Sequence, residues 1–177
     1  MWHEQSPRRG VVGATRTGAV ALLVLSALGC AGLLRPPLDV PPGQRIVVGR
    51  LDLSAFEVGE GLLEIVREDG TFYETVRAGL SQRDFVMALP PGAYRVVRLR
   101  AFRDGRKFPN DPIWDLRLAF DVGPEPAIYI GTLRLRSHLG HRLDTQVLDE
   151  YDDTLRVLRA RHPDLPDAVG RSLLRPN

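Results

Sequence analysis

The stretch Ile113–Val122, IWDLRLAFDV, decides the fold class. Apolar side chains occupy every second position, and most of the residues between them are charged. Successive side chains of a β-strand point to opposite faces, so this alternation predicts a strand with one face on a core. The residues predicted to face the core are Trp114, Leu116, Leu118, Phe120 and Val122.

Six further segments have β-branched or leucine-rich sequences that are typical of strands. They cover residues 45–53, 61–67, 71–77, 83–89, 93–102 and 127–136. Asp69–Gly70 is typical of a hairpin turn, and Pro91–Gly92 is typical of a type II turn. Seven short strands at regular spacing predict an all-β fold, an antiparallel seven-stranded sandwich.

A helical period follows near the end of the sequence. Asp144 or Thr145 is the expected N-terminal cap, and His162–Pro163 is the expected stop. Acidic residues in the first half and arginines in the second half suit the helix dipole. We expect this amphipathic C-terminal helix to pack on a sheet face or edge. Its apolar positions are Val147, Leu148, Tyr151, Leu155 and Leu158.

The first 29 residues have the pattern of an export signal. Three arginines precede an apolar run at 18–29, which is shorter than the roughly 20 apolar residues of a membrane-spanning helix. The residues ALGC that end at Cys30, the only cysteine, resemble the box of bacterial lipoproteins. This resemblance implies a signal peptide at 1–29 and acylation of Cys30. The alternatives are an ordinary secretory signal that leaves a free thiol, and a short buried helix.

The sequence after the signal divides into three parts. Cys30 and a proline-rich stretch form a predicted tether at 30–44. The sandwich domain is expected at 45–136, and a loop, the helix and a tail at 137–177. In enterobacterial lipoproteins an Asp directly after the acylated cysteine tends to retain the protein in the inner membrane. On this resemblance, Ala31 in that position implies an outer-membrane protein that faces the periplasm.

The charge balance argues against a nucleic-acid partner. The sequence has 24 basic and 22 acidic side chains, and the signal holds three of the former and one of the latter, which leaves 21 of each. Nucleic-acid binding needs a basic surface. Strand alternation is expected to divide the densest basic stretch between two faces. Its members are Arg95, Arg98, Arg100, Arg103, Arg106 and Lys107.

The segment 89–96, LPPGAYRV, resembles a hairpin of prealbumin-like (transthyretin-like) and carboxypeptidase-regulatory-like domains. The segments FDV at 120–122 and IYIGTL at 128–133 add to this resemblance. It covers about residues 45–136 and implies a prealbumin-like sandwich. Members of that broad group serve as accessory, adhesion or carbohydrate-associated modules, and the resemblance implies no catalytic residues.

Three residues near the end of the last predicted strand have a spacing that suits a metal ion. Imidazole and carboxylate groups are ligands for zinc and related ions, and His138, His141 and Asp144 are three residues apart. The intervening Arg142 opposes a cation, and exposed loop histidines are the alternative interpretation. The sequence contains no HExxH, GxSxG, phosphate-loop or CxxC motif.

Aromatic residues flank the predicted loop at 103–112. Phe108 and Trp114 are candidates for contact with a sugar or a protein, because exposed loop aromatics often bind ligands. Residues that cap the open end of a sandwich are the alternative.

These features together predict a lipid-anchored protein of the bacterial cell envelope. We expect a non-catalytic interaction or structural accessory module that has no cofactor and meets an envelope protein or a glycan. A metal-assisted envelope hydrolase that uses His138, His141 and Asp144 is the alternative. A carrier for a small ligand or lipid is a third possibility, for which an apolar cavity between the sheets is expected.

Overall fold

The computed structural model describes residues 37–55, 60–71, 73–79, 83–102, 113–138 and 142–177. The stretch Arg35–Asn177 forms one compact unit. Cys30, Phe108 and His141 lie outside the described residues.

The described residues form ten strands and one helix. The strands are β1 (Arg45–Ala55), β2 (Glu60–Arg67), β3 (Tyr73–Gly79), β4 (Asp84–Leu89), β5 (Gly92–Phe102), β6 (Ile113–Val122), β7 (Ala127–His138), β8 (Arg142–Leu148), β9 (Val169–Arg171) and β10 (Arg175–Pro176). The helix α1 covers Tyr151–Arg161, between β8 and β9. Strands β1 to β7 lie where the sequence predicts them, but the predicted total of seven is wrong because three more follow.

The strands form two five-stranded sheets. Sheet A has the order β4-β1-β7-β8, with β9 also paired to β7, and sheet B has the order β10-β6-β5-β2-β3. The prediction of a purely antiparallel arrangement is wrong, because β1 and β9 both run parallel to β7. Side-chain alternation has the same period in both directions, so the sequence pattern did not reveal this. The chain forms strands β2 to β6 between β1 and β7. A parallel pair of strands needs a long connection of this kind.

The two sheets bury a common core. Gly61 of β2 shows how closely they approach, because a Cβ atom there would lie 3.0 Å from Leu51 and 3.2 Å from Leu53, both of β1. The inward positions of β6 contribute as predicted, with Trp114 at the partly buried end of the row. Fully buried members from both sheets include Leu51, Leu63, Leu99, Phe120 and Leu135.

The two predicted turns have different outcomes. The hairpin between β2 and β3 is confirmed: Gly70 has a φ of +74°, and its N–H donates to the carbonyl of Arg67 at 2.9 Å. The type II turn at Pro91–Gly92 is wrong, because Gly92 has a φ of +153° and begins β5, whereas that turn needs about +80°.

Tyr94 holds the connection between β4 and β5. Its ring is fully buried and stacks on Phe120, with ring centroids 5.5 Å apart. Its hydroxyl donates to the carbonyl of Pro90 at 2.8 Å. Burial raises the pKa of the Tyr94 hydroxyl, which keeps the proton that makes this bond. The tyrosine of the LPPGAYRV segment therefore has a structural role.

The helix begins later than predicted. Residues Arg142–Leu148 form strand β8, and Glu150 is the N-terminal cap residue. The predicted start was wrong because Val147 packs on the core between the sheets and pairs with Leu133 of β7, so it belongs to a strand. The expected packing on a sheet face is confirmed, since the helix buries its apolar side on the outer face of sheet A. The residues of this second core include Ile46, Val48, Tyr129, Leu155 and Leu158.

The described part of the predicted tether lies against the folded body. Leu38 and Val40 pack on the second core, beside the helix. The N–H of Leu38 donates to the carboxylate of Asp164, and the N–H of Gln44 donates to the carbonyl of Pro41. The last residues of the predicted tether, from Leu38 to Gln44, therefore belong to the folded body, whereas 30–36 lie outside the described residues.

Candidate functional site

Only some of the predicted site residues have described side chains. Trp114 lies on β6 and is partly buried against the main core. His138 is the last residue of β7, and its side chain, like the whole of His141, is outside the described set.

His138 and Asp144 lie on neighbouring strands rather than in a loop before the helix. The β7–β8 register pairs His138 with Arg142, and Asp144 with Arg136. Within the described part of the chain, no group of three His, Cys, Asp or Glu side chains is placed to hold a metal ion. Because His141 is not described, the proposed metal trio stays a prediction.

A cleft between β6 and β8, which we call the β6–β8 cleft, contains Trp114. It has a volume of about 400 Å³. Strand β6 belongs to sheet B, and β8 belongs to sheet A. The inward-pointing apolar side chains of the two strands face each other and form the walls of the cleft. The lining consists of Trp114, Leu116, Leu118, Leu143, Thr145 and Pro176, together with the charged residues Asp115 and Arg117.

The C-terminal tail occupies the neighbouring part of the same side of the molecule. It adds β9 to sheet A and then β10 to sheet B. Between the two strands, Leu174 inserts into the main core and is 5% exposed. The N–H of Asn177 donates to the carbonyl of Arg117 at 3.0 Å. The tail shows that an extended segment fits along β6, and the cleft continues from the tail at Pro176.

A second cavity of about 530 Å³ lies on the opposite side, between β3 and β4. Its lining includes Val76, Phe85 and Met87, together with Asp39 and Pro41 from the segment before β1. The aromatic side chain there, Phe85, is only 4% exposed. The smaller β6–β8 cleft is the better candidate for ligand contact, because its aromatic residue is more accessible.

A group of charged side chains covers the part of sheet A that the helix leaves free. We call it the outer ionic cluster, and it consists of Arg50, Asp52, Asp84, Arg134 and Glu150. Arg50 contacts Asp84 at 2.7 Å and Glu150 at 3.2 Å. Arg134 contacts Asp52 at 2.8 Å and Glu150 at 3.6 Å.

Neighbouring residues satisfy the remaining groups of the outer ionic cluster. The hydroxyl of Thr132 donates to Glu150 at 2.9 Å, and the backbone N–H of Glu150 donates to the hydroxyl of Tyr129 at 2.8 Å. Arg161 of the helix lies 3.5 Å from Asp84. The cluster therefore connects the helix and the end of β8 to the centre of sheet A.

The pKa values show how these contacts act. Burial alone would raise the pKa of Asp52, but hydrogen bonds from Ser54 and Arg134 outweigh it and lower the pKa to about 2. Partial burial alone would lower the pKa of Arg50, but Asp84 and Glu150 outweigh it and raise this pKa. Both groups stay charged at neutral pH. Asp52 is therefore a poor proton carrier, and we assign the cluster a structural role.

The outer ionic cluster cannot be predicted from local sequence. Arg50 and Asp52 look like ordinary outward-facing residues of a strand, and their partner Glu150 follows about a hundred residues later. The only local signal is a pair of opposite charges at alternate positions on β1. Such a pair predicts a shared face but no partner.

The comparisons with known proteins add no relative to this description. No protein-family model, no curated protein and no solved structure matches the sequence. The described residues form a two-sheet β fold with one helix and a cleft between the sheets. Over the described ranges, the chain has no helix with the length and apolar character needed to cross a membrane.

Proposed function

We propose that the protein is a lipid-anchored interaction module of the bacterial cell envelope, and that its sandwich is prealbumin-like. It is non-catalytic on this proposal and binds an extended segment of an envelope protein in the β6–β8 cleft. The observation that carries the proposal is the position of the cleft beside the C-terminal tail. On this side of the fold, β10 pairs with one part of β6 and Leu174 inserts into the core. An extended partner segment can therefore lie along the remaining part of β6.

The edge of β6 beyond the tail supports this mode of binding. Ile113, at its start, is 51% exposed and is the large apolar side chain most open to solvent among the described residues. In the part of the chain that is described, β10 pairs with Leu118 and Ala119, and the edge of β6 at Ile113 lies beyond this pairing. An unpaired strand edge offers backbone hydrogen bonds to an extended peptide, and a neighbouring apolar groove selects its side chains.

The anchor on this proposal is Cys30. An acyl chain adds about 0.8 kcal/mol of membrane affinity for each buried methylene, so two or three chains make a durable attachment. The eight residues from Cys30 to Leu38 span at most about 29 Å. The packing of Leu38 on the second core would then hold the folded body close to the membrane.

Metabolic labelling with an alkyne fatty acid tests the anchor. We expect the parent protein to take up the label and to fractionate with membranes, and Cys30→Ala to lose both properties. Ser26→Ala is the matched control, since it alters the same segment and leaves the sulfur. An unlabelled parent protein would contradict the anchor.

Photocross-linking in intact cells tests the cleft. A photoreactive residue at position 113 should form a cross-linked product with one envelope protein, and the contact in that protein should map to an extended segment. The same residue at position 75, on the far edge strand β3, is the control. Equal products at both positions, or turnover of substrates in a broad hydrolase screen, would count against a non-catalytic module.

A further inference from the structure

The basic stretch of β5 does not divide between two faces, contrary to expectation. Tyr94, Val96 and Leu99 all point into the core, at 0%, 1% and 0% exposure. Val96 and Leu99 are three positions apart instead of two or four, because the pairing with both neighbouring strands shifts at Val97. This irregularity changes the phase of the alternation. Arg95, Arg98 and Arg100 therefore share the outer face of sheet B.

A fourth arginine lies between them on the neighbouring strand. The β5–β6 register pairs Arg95 with Ala119, and Arg98 with Asp115, so the exposed Arg117 sits across from the gap between the two arginines. Side chains at adjacent and diagonal positions of paired strands are about 5 to 8 Å apart. We call Arg95, Arg98, Arg100 and Arg117 the arginine face.

The carboxylates within reach do not satisfy the arginine face. Arg98 contacts Glu64 at 3.3 Å and Asp115 at 3.7 Å, and Arg100 lies 4.0 Å from Glu64. Neither Arg95 nor Arg117 forms an ion pair with any residue that the structure describes. The Nε atoms of Arg95 and Arg100 are buried and have no hydrogen-bond partner there.

Such an arrangement is unfavourable unless an anion completes it. Like charges on adjacent strands repel, and a buried donor without an acceptor costs about 1–3 kcal/mol. The outer ionic cluster of sheet A differs, because there each arginine contacts two carboxylates. The arginine face thus has the excess positive charge of an anion site, and two of its buried donors lack an acceptor among the described residues.

We propose that the arginine face binds a phosphate group. A guanidinium presents a planar set of N–H donors that matches phosphate, and several guanidinium groups can share its oxygens. The phosphate can belong to a lipid headgroup, to a phosphorylated sugar or to free phosphate. Arg117 also lines the β6–β8 cleft, but the inference requires neither the lipid anchor nor a partner segment in that cleft.

Calorimetric titration of the full, detergent-purified chain tests the inference. The probes are glycerophosphoglycerol for a lipid headgroup, glucose 1-phosphate for a phosphorylated sugar, and inorganic phosphate. Glucuronate, which has a carboxylate instead, tests the chemistry. We expect saturable binding of at least one phosphate probe, and the tightest probe identifies the source.

Paired variants separate a specific site from general charge. The double variant Arg95→Gln/Arg117→Gln should weaken binding about tenfold or more, since a hydrogen bond to a charged group contributes about 1.5–3 kcal/mol. The control Arg136→Gln/Arg156→Gln removes the same charge from exposed positions elsewhere and should leave binding unchanged. Arg95→Lys/Arg117→Lys should also weaken binding, because lysine keeps the charge and loses the planar set of donors.

Three results would overturn the inference. They are an absence of saturable phosphate binding by the parent chain, equal binding of glucuronate, and equal losses in the site and control variants. Circular dichroism of each variant checks that a loss of binding does not reflect unfolding.

Discussion

The contact between Asp52 and Arg134 makes the stability of the folded body depend on acidity. The folded state lowers the pKa of Asp52 from 3.8 to about 2, so its carboxylate favours folding above the ordinary pKa. This contribution is lost as the pH falls from about 4 through about 2, where the folded protein also takes up the proton. Each pKa unit corresponds to about 1.4 kcal/mol, so this lowering contributes at most about 2.5 kcal/mol at neutral pH, and solvent screening reduces it to about 2 kcal/mol.

The variant Asp52→Asn removes this carboxylate. We expect its free energy of unfolding to be about 2 kcal/mol below that of the parent at pH 7, with the difference shrinking towards zero at pH 2. Urea titration of the compact unit Arg35–Asn177 measures both values, with Trp114 as the only tryptophan in that fragment. Other carboxylates titrate in both proteins and cancel in the difference.

Asp115→Asn is the matched control. The side chain of Asp115 is 84% exposed and its contact with Arg98 is 3.7 Å long, so we expect a loss of well under 1 kcal/mol. A difference between parent and Asp52→Asn that stays constant from pH 7 to pH 2 would refute the assigned role of the Asp52 carboxylate.

Three further substitutions test the packing. Tyr94→Phe removes the hydrogen bond to the carbonyl of Pro90 and should lower the free energy of unfolding by about 1 kcal/mol in urea titration. Gly49→Ala would place a Cβ 2.6 Å from Phe85, and we expect a loss of about 1–3 kcal/mol and a lower melting temperature. Leu158→Ala opens a cavity under the helix and should cost about 2–5 kcal/mol, with faster hydrogen exchange confined to α1 and its neighbours; unchanged exchange there would contradict the packing described.

The sequence predicted the strands that have a clear period and missed those that do not. Strands β1 to β7 each place apolar residues on the core, and this period is visible without any partner. In β8, Leu143 and Val147 fit a strand, but Val147 and Leu148 also fit the period of the helix that follows. Strands β9 and β10 are two or three residues long, and their backbone pairing with distant strands defines them.

The candidate sites were harder to predict because they depend on contacts between distant elements. Trp114 was found from its position beside a loop, but the cleft around it requires β8, which the sequence did not reveal. The arginines of β5 are visible in the sequence as a basic stretch, but strict alternation places them on both sides of the sheet. The pairing register shifts at Val97, so the alternation of side chains is interrupted there. A prediction that assumes strict alternation therefore assigns the residues after Val97 to the wrong face.

Mass spectrometry of the mature N-terminus tests the central claim most directly. The proposal of an envelope protein held by lipid predicts that the native protein begins at Cys30 and carries acyl groups on that residue. An unmodified Cys30 in a peptide that is still joined to Gly29 would contradict it.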